Sequence, residues 1–221
     1  MPVTLNPPFT DIPAVRGRTV VVGDIHGCYD ELQALLAAVA FGEDDVLVCV
    51  GDLVDRGPKS LEVLRFFRDT ANAHSVVGNH DRRLAGTVRG TSQPAWSQLQ
   101  TLETIGQEEH HAWATYLESL PAVIQTPHAI ITHARLDPER PLDQQDPYFS
   151  CAVGGDRARI DRDGQDVPLW FNEREWDAPV CVGHLKYPRI ELVPSRLYAL
   201  DTSAVAGEHL TAVVLPEARI V

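Results

Sequence analysis

"TVVVGDIHG", residues 19–27, carries a β-branched apolar run straight into an aspartate and a histidine between glycines, and "VLVCVGDLVDRG", residues 46–57, repeats the move. Each run is short and apolar throughout, as in strands buried on both faces of a sheet. Between them, "CYDELQALLAAVAF", residues 28–41, sets Leu32, Leu35, Leu36 and Val39 at helical spacing, with Asp30 and Glu31 near the end where a helix dipole favours acids. A second helix is predicted from Lys59, with Leu61, Leu64 and Phe66 or Phe67 on one stripe, and "HSVVGNH", residues 74–80, gives a third short strand. Strands alternating with helices imply the α/β class and βαβ connections.

Residues 1–18 hold four prolines and little periodicity, which reads as a surface arm or an edge segment. From Leu84 to Pro121 the pattern turns mostly helical, with a break at 90–94, and is read as a small helical cap at the rim of the sheet. Later strands are predicted at Ala122–Gln125, Ala129–Thr132, Pro179–Val182, Leu197–Leu200 and Leu210–Leu215, with Asp137–Val167 rich in loop residues. The chain is expected to form one domain over 1–221, with 84–121 inside it.

A chain of 221 residues that is 44% hydrophobic can bury a sizeable core. With 31 acidic against 19 basic residues its formal net charge is −12, a field that opposes binding to long nucleic acid or to an anionic membrane. Cys28, Cys49, Cys151 and Cys181 show no paired spacing and read as small buried hydrophobes of a reduced compartment, with Cys28 close enough to the Gly-Asp loops to meet oxidants. No run approaches the ~20 apolar residues of a membrane span, and a cytoplasmic protein is expected.

In α/β sheets, reacting groups gather beyond the carboxyl ends of strands. Asp24 and His26 follow the first predicted strand, Asp52 and Asp55 the second, Asn79 and His80 the third, and His133 and His184 two later ones. Carboxylates, an amide oxygen and imidazoles make a mixed oxygen and nitrogen donor set suited to manganese, iron, zinc or a related divalent ion. Six such groups exceed the needs of one ion, and two ions ~3.5–4 Å apart fit if Asp52 bridges them. His110 and His111 beside Glu108 and Glu109 read instead as a solvated helix face, and Trp96, Trp113, Trp170 and Trp176 as packing anchors, with Trp170 the one nearest a candidate substrate loop.

"GDIHG", "GDLVDRG", "GNHD", the histidine of "IITHA" and "VGH" at 182–184, in this order and each after a predicted strand, resemble the calcineurin-like metallophosphoesterases. The similarity runs from about Thr19 to Leu215, and lies with the branch of phosphoprotein phosphatases and bacterial symmetrical dinucleoside tetraphosphate hydrolases. It implies a β-sandwich of mixed sheets flanked by helices. It also implies two divalent ions, manganese first, with iron, zinc, nickel or cobalt as alternatives. Asp24, His26 and Asp52 would hold one ion, and Asp52, Asn79, His133 and His184 the other. His80 would then be the general acid, oriented by Asp55, with Arg56 on the phosphate oxygens and a hydroxide between the ions attacking in line.

Substrate contacts are expected from Arg56, Asn79, Arg135 and Arg174, and two departures concern them. Arg135 stands in "THARLDP" where many relatives have glycine, a cation beside the metals that would bind a second phosphate or point to solvent, and "LWFNERE" has Asn172 where a second phosphate-binding arginine is expected. Arg174, two positions on, is the candidate, with Arg157, Arg159 and Arg162 as alternatives. The resemblance is read first as a phosphoserine/phosphothreonine protein phosphatase acting on a phosphoprotein or phosphopeptide. The alternative is a symmetrical bis(5'-nucleosyl)-tetraphosphate hydrolase releasing ADP from a small nucleotide, and the remote one a non-catalytic metal-binding module.

Overall fold

Alternation along the strands decides which side chains face which layer. The computed structural model describes residues 6–151, 159–162 and 165–221, with the backbone alone at 159–162, 165 and 166. In chain order β1 is Phe9–Asp11, β2 Thr19–Val22, α1 Tyr29–Ala38, β3 Val46–Cys49, α2 Ser60–Asp69 and β4 Ala73–Ser75. Three helices follow, α3 Asn79–Arg89, α4 Trp96–Ile105 and α5 His110–Ser119, then β5 Val123–Gln125, β6 Ile130–Thr132 and α6 Pro147–Ser150. The rest comprises β7 Arg159–Arg162, β8 Gln165–Pro168, α7 Leu169–Asn172, β9 Val180–Val182, β10 Glu191–Val193, β11 Leu197–Ala199, β12 Ala212–Leu215 and β13 Arg219–Ile220.

Two mixed sheets stack as a sandwich. One has the order β13-β12-β2-β3-β4, with β2, β3 and β4 parallel and β12 antiparallel to β2; the other runs β1-β5-β6-β9-β11-β10, and β7 and β8 form a separate hairpin. Val21 and Val48 turn inward and meet Ile124, Ile131, Cys181 and Tyr198 of the facing sheet. Their neighbours Val20, Val22, Leu47 and Cys49 turn the other way, onto Leu32, Leu64, Leu84 and Leu117 of the helical layer. A third cluster covers the outer face of the second sheet, where Val123, Ile130, Val180 and Leu197 pack with Phe171 and Trp176. Each such side chain is worth ~1.5–3 kcal/mol of burial, so both faces of both sheets contribute.

Two features differ from the sequence reading, and a third decides between its alternatives. The third helix begins at Asn79 rather than near Leu84, so Asn79 and His80 lie in its first turn and not on a strand. The N-terminal arm supplies β1, which pairs with β5 at the sheet edge, as the edge-segment reading had it. The short edge strands β10 and β13 were not anticipated. The helices α3, α4 and α5 contribute Leu84, Ala85, Ile105, Trp113 and Leu117 to the same core cluster as α1 and α2. No described helix is long and apolar enough to cross a membrane.

Candidate active site

The repeated Gly-Asp is the seam between two loops. β2 and β3 are parallel neighbours in register, Val22 opposite Cys49, so their exits lie side by side. The loops then zip together: His26 N donates to Asp52 O at 2.8 Å, Gly27 N to Leu53 O at 3.0 Å, and Gly57 N to His26 O at 2.9 Å. That path bends sharply, and His26, Asp52, Asp55, Arg56 and, on the other sheet, His184 all adopt the left-handed conformation, φ +46° to +75°. L-residues are rare there, and strain of this kind clusters at functional sites. Glycine is needed where carboxylates approach the backbone: a Cβ at Gly78 would strike the Asp52 carboxylate, and one at Gly183 that of Asp24.

The structure brings Asp24, His26, Asp52, Asn79, His133 and His184 together. His26 Nδ1 donates to Val54 O and His133 Nδ1 to Val50 O, both at 2.8 Å, which leaves Nε2 of each ring as a lone pair. Both lone pairs face one oxygen, Asp52 Oδ2, at 3.5 and 3.6 Å. His133 Nε2 also lies 2.9 Å from Asn79 Oδ1, an acceptor against an acceptor, and His184 Nδ1 meets the same oxygen at 2.8 Å. His133 Nε2 against Asn79 Oδ1, two acceptors with no proton between them, calls for a cation, and the donor set fits divalent ions on either side of Asp52. Ligand atoms of His26, Asp52 and His80 lie within 4.8 Å of one another, as do those of Asp24, Asp52 and His133, so Asp24 also stands within reach of the position assigned to His133.

Charge divides the two carboxylates. Burial first, then Asp201 and Asp52, push the Asp24 carboxyl well above the usual range, as crowded acids do without a cation. Asp52 is also disfavoured by burial, but the charge that His133, His26 and His80 carry when protonated outweighs it and holds its carboxyl at about 2. Asp81, pushed up to about 7 by burial and then by Asp52, accepts hydrogen bonds from the backbone of Asp52 (2.9 Å), Leu53 (3.0 Å) and Gly78 (2.9 Å) and so locks the seam. Sequence reasoning gave it no role, although its place in "GNHD" was the available signal.

His80 Nδ1 donates to Asp55 Oδ2 at 2.7 Å, on a carboxylate with no solvent exposure. Burial lowers the basicity of this imidazole, but the Asp55 bond and the Asp52 charge outweigh it and raise its pKa. Arg56, exposed at the rim, donates to His80 Nε2 at 2.8 Å and to His26 Nε2 at 2.9 Å, placing a cation between the two rings. Among the residues foreseen for the reaction, His80, Asp55 and Arg56 are therefore assembled.

The second phosphate clamp is not assembled at Arg174. Its NH1 donates to Arg140 O at 2.8 Å, its guanidinium lies 4.9 Å from the Trp176 ring centre, and it lines a cleft of about 470 Å³ with Asn172, Val193 and Arg196. Val193 and Arg196 flank the turn into β11, so this cleft opens where β11 starts, whereas the ligands lie where strands finish. Arg135 is buried, with Nε donating to Phe149 O at 2.9 Å and its guanidinium 3.9 Å from that ring. Arg157 falls outside the described residues, as do the side chains of Arg159 and Arg162. His110 and His111 bond to Leu102 O and Arg89, and Trp170 stacks edge-on against Phe171 and Trp176. Burial pushes the Cys28 thiol up to about 11, away from the reactive thiolate.

Similarity to known proteins follows this geometry. The calcineurin-like phosphoesterase model matches residues 17–195, and the chain belongs to that family. Over 125 residues it is 41% identical to the symmetrical bis(5'-nucleosyl)-tetraphosphatase of Actinobacillus pleuropneumoniae serotype 5b (strain L20), an alignment covering 55% of this chain and 46% of the relative. The protein of that name from Tolumonas auensis is 42% identical over 55% of this chain and 45% of its own. The chain thus spans about half the length of these curated relatives. A crystal structure of a protein provisionally assigned as a diadenosine tetraphosphatase superposes with TM-score 0.76 and 32% identity, covering 96% of both chains. A cold-active protein-tyrosine phosphatase of a Shewanella species shares the fold at TM-score 0.63 and 20% identity, over 100% of this chain and 81% of its own.

Proposed function

We propose that this protein hydrolyses diadenosine tetraphosphate symmetrically, consuming one water and releasing two molecules of ADP. The observation that carries the reading is the 32% identity over 96% of both chains with a protein provisionally assigned as a diadenosine tetraphosphatase. In this reading Asp24, His26 and Asp52 hold one divalent ion and Asp52, Asn79, His133 and His184 a second, with manganese the first choice and iron, zinc, nickel or cobalt the alternatives. When bound, such ions supply Lewis-acid polarisation of phosphoryl oxygens and an acidified water. The chain's own groups do the rest. Arg56 reaches substrate oxygens from the exposed rim, a planar fork suited to phosphate. His80, held through Nδ1 by Asp55, is the proton donor in its imidazolium form, its Nε2 freed from Arg56 when that guanidinium turns to the phosphate, and it delivers the Nε2 proton to the departing oxygen.

One observation favours a second reading, hydrolysis of a phosphoserine or phosphothreonine monoester on a protein. ADP leaves through a phosphate oxygen whose last pKa is roughly 6, whereas an alkoxide is far more basic and needs a proton. A histidine backed by a fully buried carboxylate is the apparatus for the harder departure. Manganese-loaded protein should be offered diadenosine tetraphosphate beside a phosphothreonine peptide, with nucleotide products resolved by chromatography. ADP as sole nucleotide product, with kcat/KM ~100-fold above the peptide, about 2.7 kcal/mol of discrimination, is the expected result. The reverse preference would replace the nucleotide reading with the protein-phosphatase one, and AMP with ATP would reject symmetrical cleavage.

A further inference from the structure

The Asp55 carboxylate has no solvent exposure, and His80 satisfies only part of one of its oxygens. Among the described residues its other donors come from α4, which belongs to neither the Asp55 loop nor the His80 turn. Thr101 Oγ1 lies 2.8 Å from Asp55 Oδ1, and Gln98 Nε2 donates to Asp55 Oδ2. Gln98 has no solvent exposure and Thr101 only 4%. Both are fixed in turn by their own helix: Gln98 Oε1 accepts from Ala95 N at 2.9 Å, closing the first turn. Thr101 Oγ1 has two acceptors in reach, Asp55 and Ser97 O at 3.0 Å, and a single hydrogen goes to the charged one. Polar groups at i and i+3 on the inner face of a helix are costly unless paired, and here both pair with the same carboxylate.

We infer that Gln98 and Thr101 are positioning residues for proton delivery: they clamp Asp55 from α4 so that its Oδ2 keeps a proton on His80 Nδ1 and leaves Nε2, aimed at the site, as the nitrogen that takes up and gives the second proton. The inference rests on the reading of His80 as proton donor. Without the clamp Asp55 can rotate, the imidazole loses its fixed tautomer, and the proton is delivered from fewer of its orientations.

The test uses the full chain with Thr101→Val and Gln98→Leu, singly and together, and Thr101→Ser as the variant that keeps the hydroxyl. In the zinc-loaded protein, which is diamagnetic, long-range proton–nitrogen correlation of the histidines should show one Nδ1–H form at His80 in the parent and in Thr101→Ser, and a mixture in Thr101→Val and the double variant. With manganese, kcat on phenyl phosphate should fall by about 10-fold or more at nearly constant KM, and kcat on p-nitrophenyl phosphate, whose leaving group needs less protonation, by under about 3-fold. An unchanged His80 tautomer in the double variant, with the protein still folded, would overturn the inference. A tautomer mixture without loss on either ester would support the clamp and remove His80 as proton donor, separating failure of this inference from failure of the reading beneath it.

Discussion

Where β2, β3 and β9 finish, His26, Asp52, Asp55, Arg56 and His184 hold φ between +46° and +75°. Where β2 and β3 start, Arg18 and Asp45 face each other in a two-pronged ion pair, Nε to Oδ1 at 3.1 Å and NH2 to Oδ2 at 2.6 Å, with Arg18 N also on Oδ1 at 2.9 Å. The same strands thus carry strained loops with like charges crowded at one end and matched charges at the other. Left-handed L-residues cost ~1–3 kcal/mol each, and the seam of backbone hydrogen bonds offsets part of that. The contrast separates what the fold needs from what the reaction needs: substitutions at the finishing end should act on activity, and those at the starting end on stability.

The sharpest way to break this contrast is Asp52→Asn. One Asp52 oxygen faces both His26 and His133, so its loss should lower metal content at both positions and reduce kcat by roughly 10³-fold or more. Normal metal content with normal turnover, measured by elemental analysis and a phosphate-release assay, would take Asp52 out of the site. His80→Asn comes next, since His80 is a donor of protons and not a ligand in the proposed division. Metal content should hold while kcat with a poor leaving group falls about 10²- to 10⁴-fold, and equal losses for good and poor leaving groups would assign His80 another role.

At the starting end, Asp45→Ala should leave kcat alone and destabilise by ~1–2 kcal/mol, an ion pair partly open to water being worth less than a buried one. The hydrogen bond from Arg18, more than counteracting burial, holds the Asp45 carboxyl below its usual value. Its contribution is therefore fully present above the unfolded pKa of roughly 3.9 and is lost as pH falls through the folded value. The gap in Tm between parent and variant should be constant near neutrality and close at acid pH. A gap that stays open at low pH would assign the effect to packing instead.

The finishing end was legible in sequence because each ligand follows an apolar run within a few residues, so strand and ligand announce one another. Asp24, Asp52, His133 and His184 were found in this way. Gln98 and Thr101 were not, since periodicity assigns polar helix positions to solvent, and these two face inward on a carboxylate that another loop supplies. The start of α3 was misplaced because its apolar stripe begins at Leu84 while its first turn is made of site residues. Three-residue β10 and two-residue β13 offer too few positions for a period of two to show. Arg174 misled for a different reason: nearness to a Trp in sequence said nothing about which end of the sheet the loop would occupy.

The smallest expected effect tests the strain argument itself. Ala40 is exposed, lies beyond the C-terminus of α1, and has φ +49°, while Phe41 N donates back to Leu36 O at 3.0 Å. This is the helix ending that favours glycine, occupied by an L-residue far from any ligand motif. Ala40→Gly should relieve ~1–2 kcal/mol of left-handed strain against ~0.4–1 kcal/mol of extra freedom in the unfolded chain. The net gain of about 0.5 kcal/mol corresponds to roughly 1–2 °C in Tm for a chain of this size, with kcat unchanged. The same exchange at Asp52 would relieve the same strain and delete a ligand, so stability and activity should move in opposite directions there. If Ala40→Gly fails to stabilise, left-handed φ does not cost this protein what it costs others, and the contrast between the two ends reduces to charge alone.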